Sequence, residues 1–218
     1  MRLGKLPADF TQKKADRSYF EASAQYIPEM IPKIVSAAVK SGIDPQEIQI
    51  LAPMYRGAAG INRLNTIIQD LLNPLKDQLS FAFGEMNFRK GDKVLHLIND
   101  AELNVFNGDI GYITDLIPAK YTESKQDELY MSFDGTEVTY PRNEWHKITL
   151  AYAMSIHKSQ GSEFQVVILP ITRQSHRLLQ RNLIYTAITR SKSKLVMLGE
   201  IAAFDYAIKN EGAKRNTY

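Results

Sequence analysis

Apolar positions follow two different rhythms along this chain, and the change of rhythm divides it. The first strand-like run is short, at 16–21. Ile27, Met30, Ile31, Ile34, Val35, Ala38 and Val39 then recur at helical spacing, and Ser41-Gly42 supplies a stop. Pro28 and Pro32 sit early in that pattern, and since proline is tolerated in a first turn but not mid-helix, the regular helix is expected to begin near Pro32. After the Asp44-Pro45 turn comes a short buried-type strand at 48–54. A helix over 59–72 follows, with Ile61, Leu64, Ile67, Ile68, Leu71 and Leu72 on one face and Asn73-Pro74 at its end. Strand, helix, strand, helix is the order of a mostly parallel sheet covered by helices.

From about Asn87 the period shortens to two. Strand runs at 88–100, 107–114, 128–133 and 137–140 are separated by turns at Lys90-Gly91-Asp92, Asn107-Gly108-Asp109 and Asp134-Gly135. Close-spaced short strands of this kind predict a small β-barrel. A helical turn at 141–145 closes it. The βα texture resumes at Ile148 with an apolar run to Met154, a strand at 166–169, a helix over 176–189, a strand at 195–198 and a helix over 201–210. The expected fold is α/β: a parallel sheet interrupted by a barrel. The expected division is a connecting arm at 1–15, a discontinuous α/β domain at 16–86 and 148–218, and the inserted barrel at 87–147.

Composition narrows the class. A content of 44% hydrophobic and 23% charged residues is that of a folded globular protein and argues against disorder. The net charge of +3 is too small to argue for nucleic acid by itself. With no cysteine there is no disulfide framework or thiolate metal site, which fits a reducing compartment, and the four histidines are scattered. No apolar run approaches the ~18 residues of a membrane span, and the first residues lack an apolar signal core. A soluble, cytoplasmic setting without membrane contact is expected.

The densest run of chemically capable side chains is 152–164, where Ser155, His157, Lys158, Ser159, Gln160, Ser162 and Glu163 follow one apolar run and precede another. A turn there exposes backbone N–H groups, and hydroxyl donors beside it suit phosphate oxygens, while Glu163 could accept from a sugar hydroxyl. The plainer reading is a solvated turn in which His157 has no special role. A serine hydrolase is disfavoured, because Gly-x-Ser-x-Gly is absent. In 180–192, Leu183, Ile184, Ala187 and Ile188 form a buried stripe that leaves Arg181 exposed and Arg190 at the helix end. Arg190 there either complements the helix dipole or meets an anionic ligand. Arg56, after a strand and before a helix, is ambiguous in the same way.

Three stretches in this order resemble motifs IV, V and VI of superfamily 1 DNA helicases: Leu51-Ala-Pro-Met-Tyr-Arg-Gly57, the run 153–164, and Leu183-Ile-Tyr-Thr-Ala-Ile-Thr-Arg190. The likeness is closest to the RecD-like branch, exodeoxyribonuclease V alpha-subunit relatives that move 5′ to 3′ and carry a small SH3-like barrel at this place. The resemblance implies a second RecA-like domain whose Arg56 and Arg190 reach the γ-phosphate of ATP. It places Tyr55, Gln160, Gly161 and Glu163 by the nucleotide, Glu163 towards the ribose. Ser155, His157 and Lys158 would face single-stranded DNA. Implied partners are that strand, the N-terminal RecA-like domain of the same parent protein, and nuclease or repair subunits. Gly-x-x-x-x-Gly-Lys-[Ser/Thr] and an Asp-Glu magnesium pair are absent from the 218 residues. The chain is therefore expected to be a C-terminal portion of a helicase, sharing ATP and magnesium with a phosphate-loop domain and inactive without it. The alternative is a stand-alone nucleic-acid-binding module in which Arg89, Lys90, Lys93, Arg142 and Lys147 of the barrel line the surface; a scaffold subunit is a third reading.

Overall fold

The structure is a computed structural model that describes residues 4–212; residues 1–3 of the expected arm lie outside them. Its elements run β1 (Arg17–Glu21), α1 (Ile27–Lys40), β2 (Ile48–Ala52), α2 (Ile61–Leu72), β3 (Ser80–Phe83), β4 (Met86–Arg89) and β5 (Lys93–His96). There follow β6 (Ile110–Ile117), β7 (Glu128–Phe133), β8 (Thr136–Pro141), β9 (Ile148–Leu150) and β10 (Ala153–Ser155). The last are β11 (Phe164–Ile171), α3 (Arg181–Ile188), β12 (Ser191–Gly199) and α4 (Ile201–Lys209). The chain divides into two compact units, 1–64 with 153–218, and 65–152.

The first unit is built on a five-stranded sheet in the order β1-β12-β11-β2-β10, every neighbouring pair parallel. Its strands are continuous apolar runs rather than alternating ones: all five residues of β2 are buried, and so are all of β11 except Gln165. That is the pattern of a sheet covered on its faces; α1 packs on β11, and α3 on β11 and β12. Helix α1 begins at Ile27, five residues earlier than the proline rule suggests, with Pro28 in its first turn and Pro32 inside it. Pro32 costs one helical hydrogen bond, and the burial of Ile27, Ile31 and Val35 outweighs it. Ahead of β1, Phe10 is buried with its ring 4.9 Å from Tyr19 and 5.3 Å from Phe204. Gly199 ends β12 at φ +131, where an added Cβ would lie 1.9 Å from the Ile171 carbonyl oxygen, so the two central strands end in contact too close for any side chain.

The second unit is antiparallel: a five-stranded sheet in the order β8-β7-β6-β5-β9, with β3 and β4 as a separate hairpin. The β7–β8 turn uses Asp134 and Gly135, both at positive φ (50 and 83), as a two-residue hairpin turn that matches strand twist requires. Trp145 anchors the core, stacking on Phe81 at 5.6 Å and donating its indole N–H to the Tyr140 carbonyl at 2.8 Å. Helix α2 reaches into this unit through Asn65 and Gln69, with Asn73 just past its end, and β3 precedes the expected start at 87, so the unit extends beyond 87–147 on both sides.

Two further expectations change. The run 148–154, read as one strand, is two: β9 pairs antiparallel with β5, and β10 parallel with β2. The helix over 176–189 is a 3-10 turn at Arg173–Leu178, an extended break, and then α3.

Candidate functional site

In a parallel sheet every strand starts at one rim and ends at the other, so the register fixes where each site residue lies. Ser191 is level with Phe164, and Ile168 with Ile50. Glu163 and Arg190, which precede β11 and β12, therefore lie at the starting rim. Tyr55 and Arg56, which follow β2, lie past the finishing rim, level with residues after Pro170. From the level of Phe164 to that of Ala52 the strands rise roughly 20 Å at about 3.3 Å per residue. Arg56 and Arg190 thus do not share a site within this unit, and their expected convergence on one γ-phosphate is not what the sheet builds.

At the starting rim the pieces do meet. The Phe164 N–H donates to the Arg190 carbonyl at 2.8 Å, fastening the end of the 152–164 run to the end of α3. The Arg190 guanidinium turns back over that loop and donates to the Ser162 carbonyl oxygen and to Thr189 Oγ1, each at 3.2 Å. Its Nε is buried without a hydrogen-bond acceptor among the described residues. Among the described residues no carboxylate forms an ion pair with it. Gln160, Gly161 and Glu163 are exposed beside it, Gly161 at φ +84. A half-buried guanidinium fixed by one carbonyl and one hydroxyl, with a buried donor unused, can accept an anion.

The other members of the run divide by burial. Ser155 is buried and its Oγ accepts the Lys158 N–H at 3.3 Å; Ser159 is fully buried, donating to the Ile156 carbonyl at 2.6 Å. These two hydroxyls hold the turn. His157 is exposed and Lys158 half-exposed, at the finishing end of β10. Tyr152, which opens the run, belongs to the second unit: it is buried and its hydroxyl donates to Asp92 Oδ1 at 2.8 Å. Arg181 is not the exposed cation expected of it, because its Nε donates to the Ile208 carbonyl at 2.6 Å and its Nη1 meets Glu211 at 2.8 Å. It clamps α3 to the end of α4.

The finishing rim holds a feature that the sequence did not announce. A cleft of about 730 Å³ opens there, lined by Met54, Arg56, Gly57 and the turn Arg173–Leu178. The pattern predicts helix over 176–189, which makes its first residues a helix surface instead of a loop beside Arg56.

In the barrel unit, Asp92 is fully buried and receives four donors: the Arg89 N–H at 2.7 Å, and Gln69, Asn73 and Tyr152 side chains at 2.8 Å each. Burial pushes its carboxyl above the usual carboxylate range against the pull of those donors. Burial likewise raises the Tyr152 hydroxyl, with Asp92 adding to it. The basic residues proposed for a barrel surface are largely consumed. Arg89 and Lys93 are buried, Arg89 paired to Asp70 at 2.9 Å; Arg142 donates to the Ala82 carbonyl at 2.9 Å over the Trp145 ring, and Lys147 meets Glu144 at 2.8 Å. The barrel is thus a poor candidate for an independent nucleic-acid surface. Among the described residues no group of three or more His, Asp or Glu is placed to hold a metal, and no helix is long and apolar enough to cross a membrane.

Comparison with known families bears on both units. Residues 150–198 match the UvrD-like helicase C-terminal domain, and residues 64–133 match the SH3 domain of ATP-dependent RecD-like DNA helicases. The chain thus carries a UvrD-like helicase C-terminal domain and a RecD-like SH3 domain. The ATP-dependent RecD2 DNA helicase of Deinococcus radiodurans is 34% identical over 79% of this chain and 23% of its own length. The RecBCD enzyme subunit RecD of Mycolicibacterium smegmatis is 27% identical over 77% of this chain and 28% of its own. This chain spans about a quarter of the length of these relatives. A Pif1 helicase structure from Candida albicans aligns at a TM-score of 0.48 and 16% identity, over 75% of this chain and 47% of that one, a likeness too loose to carry a conclusion.

Proposed function

We propose that the parallel-sheet unit is the second motor domain of an ATP-dependent 5′-to-3′ DNA helicase, with the barrel unit inserted in it. The observation that carries this reading is Arg190: a guanidinium anchored by the Ser162 carbonyl beside Gln160 and Glu163, with no carboxylate partner and a buried donor to spare. ATP fits that rim. Arg190 would meet the phosphates, Gln160 and Gly161 would lie against the nucleotide, and Glu163 would accept from a ribose hydroxyl. The nucleotide with its magnesium supplies a phosphoryl group that a phosphate-loop domain activates. This chain's part is to bring Arg190 onto the developing charge, an effect of about three to five orders of magnitude in rate for such arginines.

His157 and Lys158 lie at the far end of the same loop, so one turn of chain links the nucleotide rim to a proposed contact with single-stranded DNA. A shift of Arg190 on closure would move Ser162 and, through the turn, the grip on the strand. The 218 residues hold no phosphate loop, and the chain by itself is expected to hydrolyse ATP negligibly. The partners of this reading are the strand, an N-terminal RecA-like domain, and nuclease or repair subunits.

The test joins the chain to a phosphate-loop RecA-like domain of its parent protein. Single-strand-stimulated ATP hydrolysis should appear on joining and drop by about a thousandfold or more with Arg190→Ala. DNA-stimulated hydrolysis by the purified chain on its own, abolished by Arg190→Ala, would overturn the proposal.

A further inference from the structure

We infer that Thr189 is a positioning residue: its hydroxyl holds the Arg190 guanidinium in the plane and direction from which it meets developing phosphate charge. This rests on reading the starting rim as the nucleotide site, and it adds to that site a residue that touches no nucleotide atom itself.

A long side chain with several staggered torsions contributes to a reaction only as far as something stops it turning. At Arg190 two contacts do so, one on each terminal nitrogen. Nη1 donates to the Ser162 carbonyl oxygen and Nη2 to Thr189 Oγ1, both at 3.2 Å. Because the guanidinium is flat and rigid, a contact on each prong sets its plane as well as its position. The Ser162 contact comes from backbone, and the Ser162 N–H is tied in turn to the Ser159 carbonyl at 3.0 Å. Among the described residues, Thr189 is the one side chain that accepts from the guanidinium.

The hydroxyl is itself oriented. A hydroxyl has one hydrogen and two lone pairs. Thr189 gives its hydrogen to the Thr186 carbonyl oxygen at 2.9 Å, so towards Arg190 it presents a lone pair. That bond reaches three residues back from the C-cap of α3, a local bond that suits threonine in a helix and leaves its β-branched side chain little freedom in χ1. The backbone around it is pinned as well: the Thr189 N–H donates to the Tyr185 carbonyl at 3.1 Å and the Arg190 N–H to the Ala187 carbonyl at 3.2 Å. Helix, hydroxyl, guanidinium and the Ser162 carbonyl thus form one continuous chain from α3 to the 152–164 run. Were the hydroxyl only a cap for the helix end, its loss would be felt in melting alone. A hydroxyl that aims Arg190 is felt in turnover, and only while Arg190 is present.

The experiment uses the chain joined to the phosphate-loop domain of its parent protein. It measures single-strand-stimulated ATP hydrolysis with kcat and KM for ATP separated, and a denaturant melt on each sample. Thr189→Val keeps the shape and removes the acceptor; it should lower kcat about ten- to hundredfold, the cost of a misplaced group, with KM unaltered. Thr189→Ser keeps the hydroxyl but opens more staggered wells to it, so kcat should recover to within about threefold of wild type. In an Arg190→Ala background Thr189→Val should lower kcat no further, because residues acting as a unit are not additive. Thr189→Ala removes the acceptor without adding bulk; it should match Thr189→Val, and it carries the test where Thr189→Val fails to fold. Wild-type turnover in either of these two variants, with Arg190→Ala slow, overturns the inference and leaves the motor domain standing. So does an equal loss from Thr189→Val in the Arg190→Ala background, a Thr189→Ser protein as slow as Thr189→Val, or a change confined to KM. Turnover by Arg190→Ala as fast as wild type removes the nucleotide-site reading and this positioning role together.

Discussion

Asp92 in the barrel unit and Arg190 in the parallel-sheet unit are both charged groups drawn partly or wholly out of solvent, and their surroundings differ in kind. Asp92 has every lone pair in use, meeting four donors from α2, Asn73, β4 and Tyr152, all within one unit. Arg190 meets a backbone carbonyl and one hydroxyl, and keeps a buried N–H without a partner. A buried group whose hydrogen bonds are complete is a fastening, and its loss is felt in stability. A group left incomplete at a sheet rim stabilises little and keeps a donor that a ligand could take. The comparison separates structure from function more sharply than residue type does, because the denser polar network of the two is the structural one.

The largest expected break in that comparison is kinetic. In the joined two-domain protein, Arg190→Ala should cut ATP turnover by about a thousandfold while lowering the unfolding free energy by only about 1 kcal/mol, the net worth of its hydrogen bonds. Steady-state turnover and denaturant melts on the same samples would show it; a melt that falls as steeply as the rate would make Arg190 a structural residue. Next comes Asp92→Asn. The amide nitrogen must face a donor, either Gln69 and the Arg89 N–H or Asn73 and Tyr152, so a loss of about 2–4 kcal/mol in folding free energy is expected. Turnover per folded molecule should be unaltered.

Asp92 also sets a pH signature. Its folded pKa is raised, so the folded state holds the proton more tightly than the unfolded chain does. Its contribution to stability therefore grows as pH falls towards and into the window above the ordinary carboxylate value of about 4, and diminishes as pH rises through its raised pKa. Wild type should lose stability relative to Asp92→Asn as pH rises from about 4 to neutrality; a constant difference across that range would show that the carboxyl is not perturbed. Smallest is Arg173→Ala. Its pair with Glu200 is exposed, Arg173 at 73%, and removing it should change stability by less than about 0.5 kcal/mol, a near-silent melt that marks the rim as expendable for folding.

Much of this was readable in one dimension. The order of strand and helix runs announced a covered parallel sheet, Asp134-Gly135 announced a hairpin turn, and the hydroxyls with Gln160, Glu163 and Arg190 marked the stretches able to carry chemistry. Other features resisted. The run 148–154 has one uniform apolar character, and nothing in its pattern reveals that its first three residues pair in the barrel sheet and its last two in the parallel one. The 173–178 turn carries no glycine or proline, and its second half continues the helical pattern expected from 176, which hides the cleft.

By itself, then, the sequence determined the classes of element, the family, and which side chains could carry chemistry, since period, turn residues and motif spacing are local properties. Only the tertiary structure decided which of them act together. Arg56 and Arg190 look equivalent along the chain, each at a junction of strand and helix. Parallel strands give every junction a rim, and the order of strand and helix at each one sends the two arginines to opposite rims. The 152–164 run is divided by the same geometry: Tyr152 to the barrel's fastening, Ser155 and Ser159 to the turn, and Gln160 to Glu163 to the rim where Arg190 waits.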